Sequence, residues 1–180
     1  MSSITLNGDI SGSAIIQAPS VAGTPTLTLP TTSGTFLTSA NTFANSGGPA
    51  FSAYNTGAGA TLSTGGTKVT FDTEEFDTNN NFASSRFTPT VAGYYQINAQ
   101  IQPNNTYTGG WIGIHKNGST YKYGTYVNTG VSFGGFTVSS IVYCNGSTDY
   151  IEIYGAFTSS QPTGSSIYFT YFNGAMIRGA

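Results

Sequence analysis

The stretch Gly93-Tyr94-Tyr95-Gln96-Ile97-Asn98-Ala99-Gln100-Ile101 decides the fold class of this chain. On an extended backbone Tyr95, Ile97, Ala99 and Ile101 fall on one face, and Tyr94, Gln96, Asn98 and Gln100 on the other. A period of two marks an antiparallel strand buried on one side. The pattern recurs on either side. Trp111 to Lys116 runs through Asn117-Gly118 into Ser119 to Tyr123, and Asn-Gly readily takes the positive φ values of a tight hairpin turn. Phe136 to Cys144, Asp149 to Tyr154 and Ile167 to Phe172 read as further strands, and no segment has helical periodicity.

Composition narrows the class of protein. Of 180 residues only 7% are charged, against about a quarter in ordinary domains. Aromatic residues reach 14%, so the chain has the apolar area to fold. A surface of neutral polar groups suits assembly, because little charge is desolvated when subunits meet. The five Lys and Arg residues are scattered and the net charge is −2, which excludes a nucleic-acid backbone as partner. No apolar run is long enough to span a bilayer. Met1-Ser2-Ser3-Ile4 lacks the regions of a secretory signal, which weighs against a secreted adhesin.

The chain divides at a linker, Asn41 to Pro49. Residues 1–45 hold short β-prone pieces, Ile4-Thr5-Leu6, Ala14 to Gln17 and Thr26 to Leu29, separated by Gly and Pro. Each is too short to bury a face alone, so ordering by identical copies around a three-fold axis is expected. Residues 46–180 carry the regular strands and form the head.

The order of motifs in the head resembles the globular domain of complement component 1q, within the tumour-necrosis-factor-like jelly rolls. The resemblance rests on Phe51-Ser52-Ala53-Tyr54, Val69-Thr70-Phe71-Asp72, Arg86-Phe87-Thr88-Pro89 with Gly93-Tyr94-Tyr95, Lys116-Asn117-Gly118, Asp149 to Ile153 and Phe172-Asn173-Gly174. It implies an all-β antiparallel jelly-roll sandwich and a homotrimer with aromatic-rich contacts. The N-terminal part is similar instead to repeats that precede the heads of phage tail-fibre and appendage proteins, and no Gly-X-Y collagen period occurs. Together these imply a virion fibre whose residues 1–45 join other virion proteins and whose head contacts a host surface glycan or protein. The alternative is a capsid- or neck-decorating protein without receptor binding.

Chemistry is sparse. Asp72, Glu74, Glu75 and Asp77 are the only acidic cluster. Such oxygens could hold calcium, but the glycine-containing loop of a calcium motif is absent, and a solvated turn near Arg86 is the plainer expectation. No cofactor is expected. His115 has no nucleophile or orienting partner near it in sequence, and Cys144 reads as a small buried hydrophobe, so no enzyme is expected. Asn104, Asn117 and Asn145 open N-x-Ser/Thr triplets that read as turns. Tyr121, Tyr123, Tyr126, Tyr150, Tyr154, Tyr168 and Tyr171 read as rings buried at a trimer axis, with stacking on sugar rings the alternative. In the roughly eight-strand order of a jelly roll, the connections Gln102–Gly109, Asn128–Phe133 and Phe157–Gly164 share the end far from the N-terminal segment. Tyr107, Phe133 and Phe157 are therefore the expected ligand-binding rings.

Overall fold

Alternating apolar and polar residues produce strands almost everywhere the pattern is regular. The computed structural model describes residues 3–7, 13–17, 48–57, 59–128 and 134–180. In chain order the strands are β1 (Ser3–Asn7), β2 (Ser13–Gln17), β3 (Ala50–Tyr54), β4 (Thr61–Leu62), β5 (Thr67–Lys68), β6 (Thr73–Asp77), β7 (Phe82–Ala83) and β8 (Arg86–Phe87). They continue with β9 (Ala92–Ile101), β10 (Gly110–Lys116), β11 (Ser119–Val127), β12 (Phe136–Asn145), β13 (Ile151–Phe157), β14 (Gln161–Pro162) and β15 (Tyr171–Gly179). No helix occurs among the described residues.

Contacts divide the chain into two units, Met1–Phe36 and Leu37–Ala180. In the first, β1 and β2 pair antiparallel, with Thr5 opposite Ile15. The two pieces Ile4-Thr5-Leu6 and Ala14 to Gln17 thus form a hairpin within one chain, while Thr26 to Leu29 lies outside the described residues.

The second unit is a jelly-roll sandwich. One sheet has the order β11-β10-β13-β8-β7, with β5 also on β13; the other has the order β12-β9-β15-β3-β6. All pairings are antiparallel. The alternation in β9 is realised as written, with Tyr95, Ile97, Ala99 and Ile101 buried between the sheets. The hairpin at Asn117-Gly118 has φ of 54° and 79°. Both values are left-handed and costly for most residues, but tolerated by Asn and Gly. Phe51, Phe82, Phe87 and Phe172 form one aromatic node, with ring centroids 4.3 to 5.8 Å apart. A second node joins Tyr107, Phe136 and Phe157.

One expected strand is a turn. Ile167 to Phe169 do not extend, and β15 begins only at Tyr171. Ser166 is the cause: its carbonyl accepts the N–H of Phe169 and of Thr170, and its hydroxyl accepts that of Tyr168. Local bonds of this kind compete with the strand ladder for backbone donors.

Register fixes which loops share an end. Tyr171 pairs with both Tyr54 and Gln100, and Phe136 pairs with Ile101, so these residues lie together. Ala50, Ala92 and Gly179 occupy the opposite end, where the chain enters the head. The aromatic node of Tyr107, Phe136 and Phe157 belongs to the far end. The connections 102–109 and 158–170 therefore cluster away from Ala50, while most of the connection Asn128–Phe133 lies outside the described residues.

Candidate functional site

Two of the rings expected to face a ligand at the far end, Tyr107 and Phe157, are buried. Tyr107 is 3% exposed and Phe157 0%, both packed on Phe136. The Tyr107 hydroxyl donates to the Gly134 carbonyl at 3.1 Å. A ring in this position fills the sandwich where the two sheets close, so these two residues support the loops instead of offering a face. Phe133 lies outside the described residues.

Among the described residues, the exposed aromatic group at the far end is the Ser166-capped turn. Tyr168 is 76% exposed, with Ile167 and Phe169 beside it, and the two rings meet edge-on at 6.5 Å. The turn is fixed from below, because the Thr170 hydroxyl donates to Gly164 and the Gly164 N–H donates to Gln102. Tyr168 thus leaves the role of a buried strand residue.

A second exposed apolar group lies on the outer face of β12, β9 and β15, toward the end where the chain enters. Tyr94, Ile141, Tyr143 and Ile177, with Arg178, line an open concavity of about 630 Å³. Ile141 is 49% exposed, and the rings of Tyr94 and Tyr143 lie 5.4 Å apart. Farther along the same face the surface becomes a neutral hydrogen-bonded lattice. Gln96 donates to Asn98 and Ser139, and Asn98 donates to Asn173. Among the expected axis tyrosines, Tyr121, Tyr123 and Tyr126 are likewise exposed in the single chain.

The acidic cluster is not a metal site. Asp72 accepts the backbone N–H of Thr56 and of Gly57 at 2.8 Å each, which closes a loop. Burial raises the Asp72 carboxyl, but these hydrogen bonds outweigh it and leave the group below its ordinary value. Asp77 accepts the Phe82 N–H, Glu75 accepts the Ser52 hydroxyl, and Glu74 is exposed. The four carboxylates serve separate partners, and no three metal-ligating side chains converge among the described residues. Glu74, Glu75 and Asp77 sit on the edge strand β6 and Asp72 just before it, and Arg86 pairs elsewhere.

Its partner is Glu152, a buried carboxylate that sequence alone did not single out. Lys68 Nζ and Arg86 Nε donate to Glu152 Oε1 at 2.6 and 2.8 Å, and the Arg86 guanidinium lies 3.9 Å over the Tyr150 ring. Burial raises the Glu152 carboxyl, but the hydrogen bonds and charges of Lys68 and Arg86 outweigh it and hold it below the ordinary 4.5. A carboxylate with a depressed folded value stabilises the fold above its unfolded value and loses that contribution as pH falls through the folded one. Both cations are partly exposed, so Glu152→Gln should cost about 2 kcal/mol at pH 7, less than a fully buried pair. The difference from the parent should shrink as pH falls below 4.5. Urea midpoints for both proteins at pH 7 and pH 3 check this; an unchanged difference contradicts it.

Catalytic geometry is not assembled around the remaining candidates. His115 stacks on Tyr154 at 3.9 Å, and Thr120 hydrogen-bonds its Nε2. Burial lowers its pKa. Cys144 is fully buried, and burial pushes its thiol up to about 11. The triplet asparagines that the structure places in turns hold them: Asn145 Oδ1 accepts the N–H of Ser147, Thr148 and Asp149, and Asn117 binds Tyr150 and Asp149.

No protein-family model and no curated protein matches the chain. Solved structures do. Murine APRIL at pH 8.5 is 10% identical, with 72% of this chain and 98% of that chain covered and a TM-score of 0.54. The globular domain of zebrafish complement 1qA protein is 15% identical, covering 73% and 99%, with a TM-score of 0.53. The Eiger TNF from S. frugiperda is 9% identical, covering 74% and 95%, with a TM-score of 0.54. At these identities the likeness is one of fold. The head is a jelly roll of the kind found in tumour-necrosis-factor ligands and complement 1q globular domains.

Proposed function

We propose that this chain is a homotrimeric virion fibre or appendage protein that acts by contact and not by catalysis. Residues 1–45 join it to other virion proteins, and the head presents its far end to the host surface. The observation that carries the trimer is the outer face of β12, β9 and β15. It exposes an apolar concavity continued by neutral amides and hydroxyls, with Arg178 the one charged side chain in the concavity. Such a face loses little solvation when a second copy covers it. The virion assignment rests on the similarity of the N-terminal pieces to repeats that precede phage fibre heads.

Covering the sheet face leaves the far end as the surface for an external partner. Tyr168 and Phe169 are its accessible rings among the described residues. The double substitution Tyr168→Ser with Phe169→Ser should weaken binding of the labelled full chain to host cells by about tenfold, the loss of one or two aromatic contacts. Oligomeric state and melting temperature should stay at the parent's values. Parent-like binding by the double variant would remove the host-contact role of this turn and favour a decorating protein.

A further inference from the structure

The outer surface of the other sheet carries a second aromatic site. The start of β10 and the ends of β11 and β13 leave a cleft of about 100 Å³ lined by Trp111, Tyr126, Thr64, Asn128 and Thr158, among others. Trp111 and Tyr126 are directly opposite in the β10–β11 ladder, so their side chains leave the same face. Tyr123 meets the indole edge-on at 5.1 Å. On its other side Gly66, at φ +88°, brings the backbone so close that a Cβ there would lie 2.9 Å from the indole. The indole is therefore held in place while Tyr126 remains 61% exposed.

The lining is apolar rings and neutral hydrogen-bonding groups, with no Asp, Glu, Lys, Arg or His. The Thr158 hydroxyl is oriented by Gly109 and Thr108. A charged ligand would find nothing to pair with and would be desolvated at a cost. A pyranose ring suits these walls, because its C–H face stacks on an aromatic ring and its hydroxyls meet amide and hydroxyl groups. A cleft of this size takes part of one sugar ring, which means weak single-site binding strengthened by several copies.

We propose that the Trp111–Tyr126 cleft binds a neutral saccharide, one ring stacked on the indole and its hydroxyls on Asn128 and Thr64. This rests on the reading of the head as a host-contacting module.

Trp111 is the only tryptophan in the chain, so its emission reports on this site alone. The full chain is titrated with methyl glycosides of glucose, galactose, mannose and N-acetylglucosamine, and with glucuronic acid and N-acetylneuraminic acid. A saturable emission change with at least one neutral glycoside is expected in the millimolar range. Tyr126→Ala, on an exposed ring, should weaken it by roughly fivefold or more without altering the melting temperature. No saturable change with any neutral glycoside, an undiminished response in folded Tyr126→Ala, or a stronger response to the charged sugars would overturn the assignment. If the full chain binds host cells while every sugar is silent, the cleft is wrong and the host-contact reading stands. If the chain binds no host cells, that reading falls.

Discussion

Phe51→Ala should lower the stability of the head by about 3–5 kcal/mol, the usual cost of deleting a buried phenylalanine ring. Phe51 is 1% exposed and stacks on Phe82 and Phe87 at 5.0 and 4.3 Å, with Phe172 edge-on at 4.7 Å. It also crosses the sandwich: Phe51 and Phe172 come from one sheet, Phe82 and Phe87 from the other. Removing the ring leaves three aromatic neighbours without a shared partner, and rigid strands on both sides limit collapse into the void. Such a loss is about a fifth or more of the roughly 5–15 kcal/mol that ordinary domains possess. Phe76→Ala is the control. Phe76 stands 51% exposed on the edge strand β6, and its loss should change stability by less than about 1 kcal/mol. Equal urea midpoints for the two variants would contradict this packing.

Ile141→Arg should abolish self-association while leaving the single head as stable as before. In one chain Ile141 points outward from β12 into the concavity shared with Tyr94, Tyr143 and Ile177. Placing a charge there exchanges one exposed side chain for another, a change within about 0.5 kcal/mol. In a closed trimer the same substitution buries three cations, each near Arg178 and with no Asp or Glu side chain in the concavity. Uncompensated burial costs several kcal/mol per charge, so association should weaken by more than about a hundredfold. That asymmetry between stability and assembly separates an interface residue from a core residue. A variant that assembles like the parent would place the contact elsewhere.

How much was legible in the sequence follows the range of the forces involved. β9 was legible because its inward and outward residues alternate without interruption, and the Asn117-Gly118 hairpin because two adjacent residues suffice to set its φ values. The extended reading of Ile167 to Phe172 holds at Tyr171 and Phe172 and fails before them on Ser166, whose local hydrogen bonds override a β-prone composition. The burial of Tyr107 and Phe157 is not legible in the sequence, since it depends on Phe136, a partner from a different strand. Glu152 was invisible because Lys68 and Arg86 lie 84 and 66 residues away in the chain. Trp111 could have been found: the inward pair Ile112 and Ile114 already sends its neighbour to the outside.

Self-association of the head is tested most directly by sedimentation equilibrium of residues 46–180 at micromolar concentration. The jelly roll carries its own core and all of its sheet pairings within this range, so it is expected to fold without the N-terminal hairpin. A single species of three copies is the expected result, with Ile141→Arg sedimenting as one copy. A parent head that remains monomeric, or that stops at two copies, would contradict the trimer.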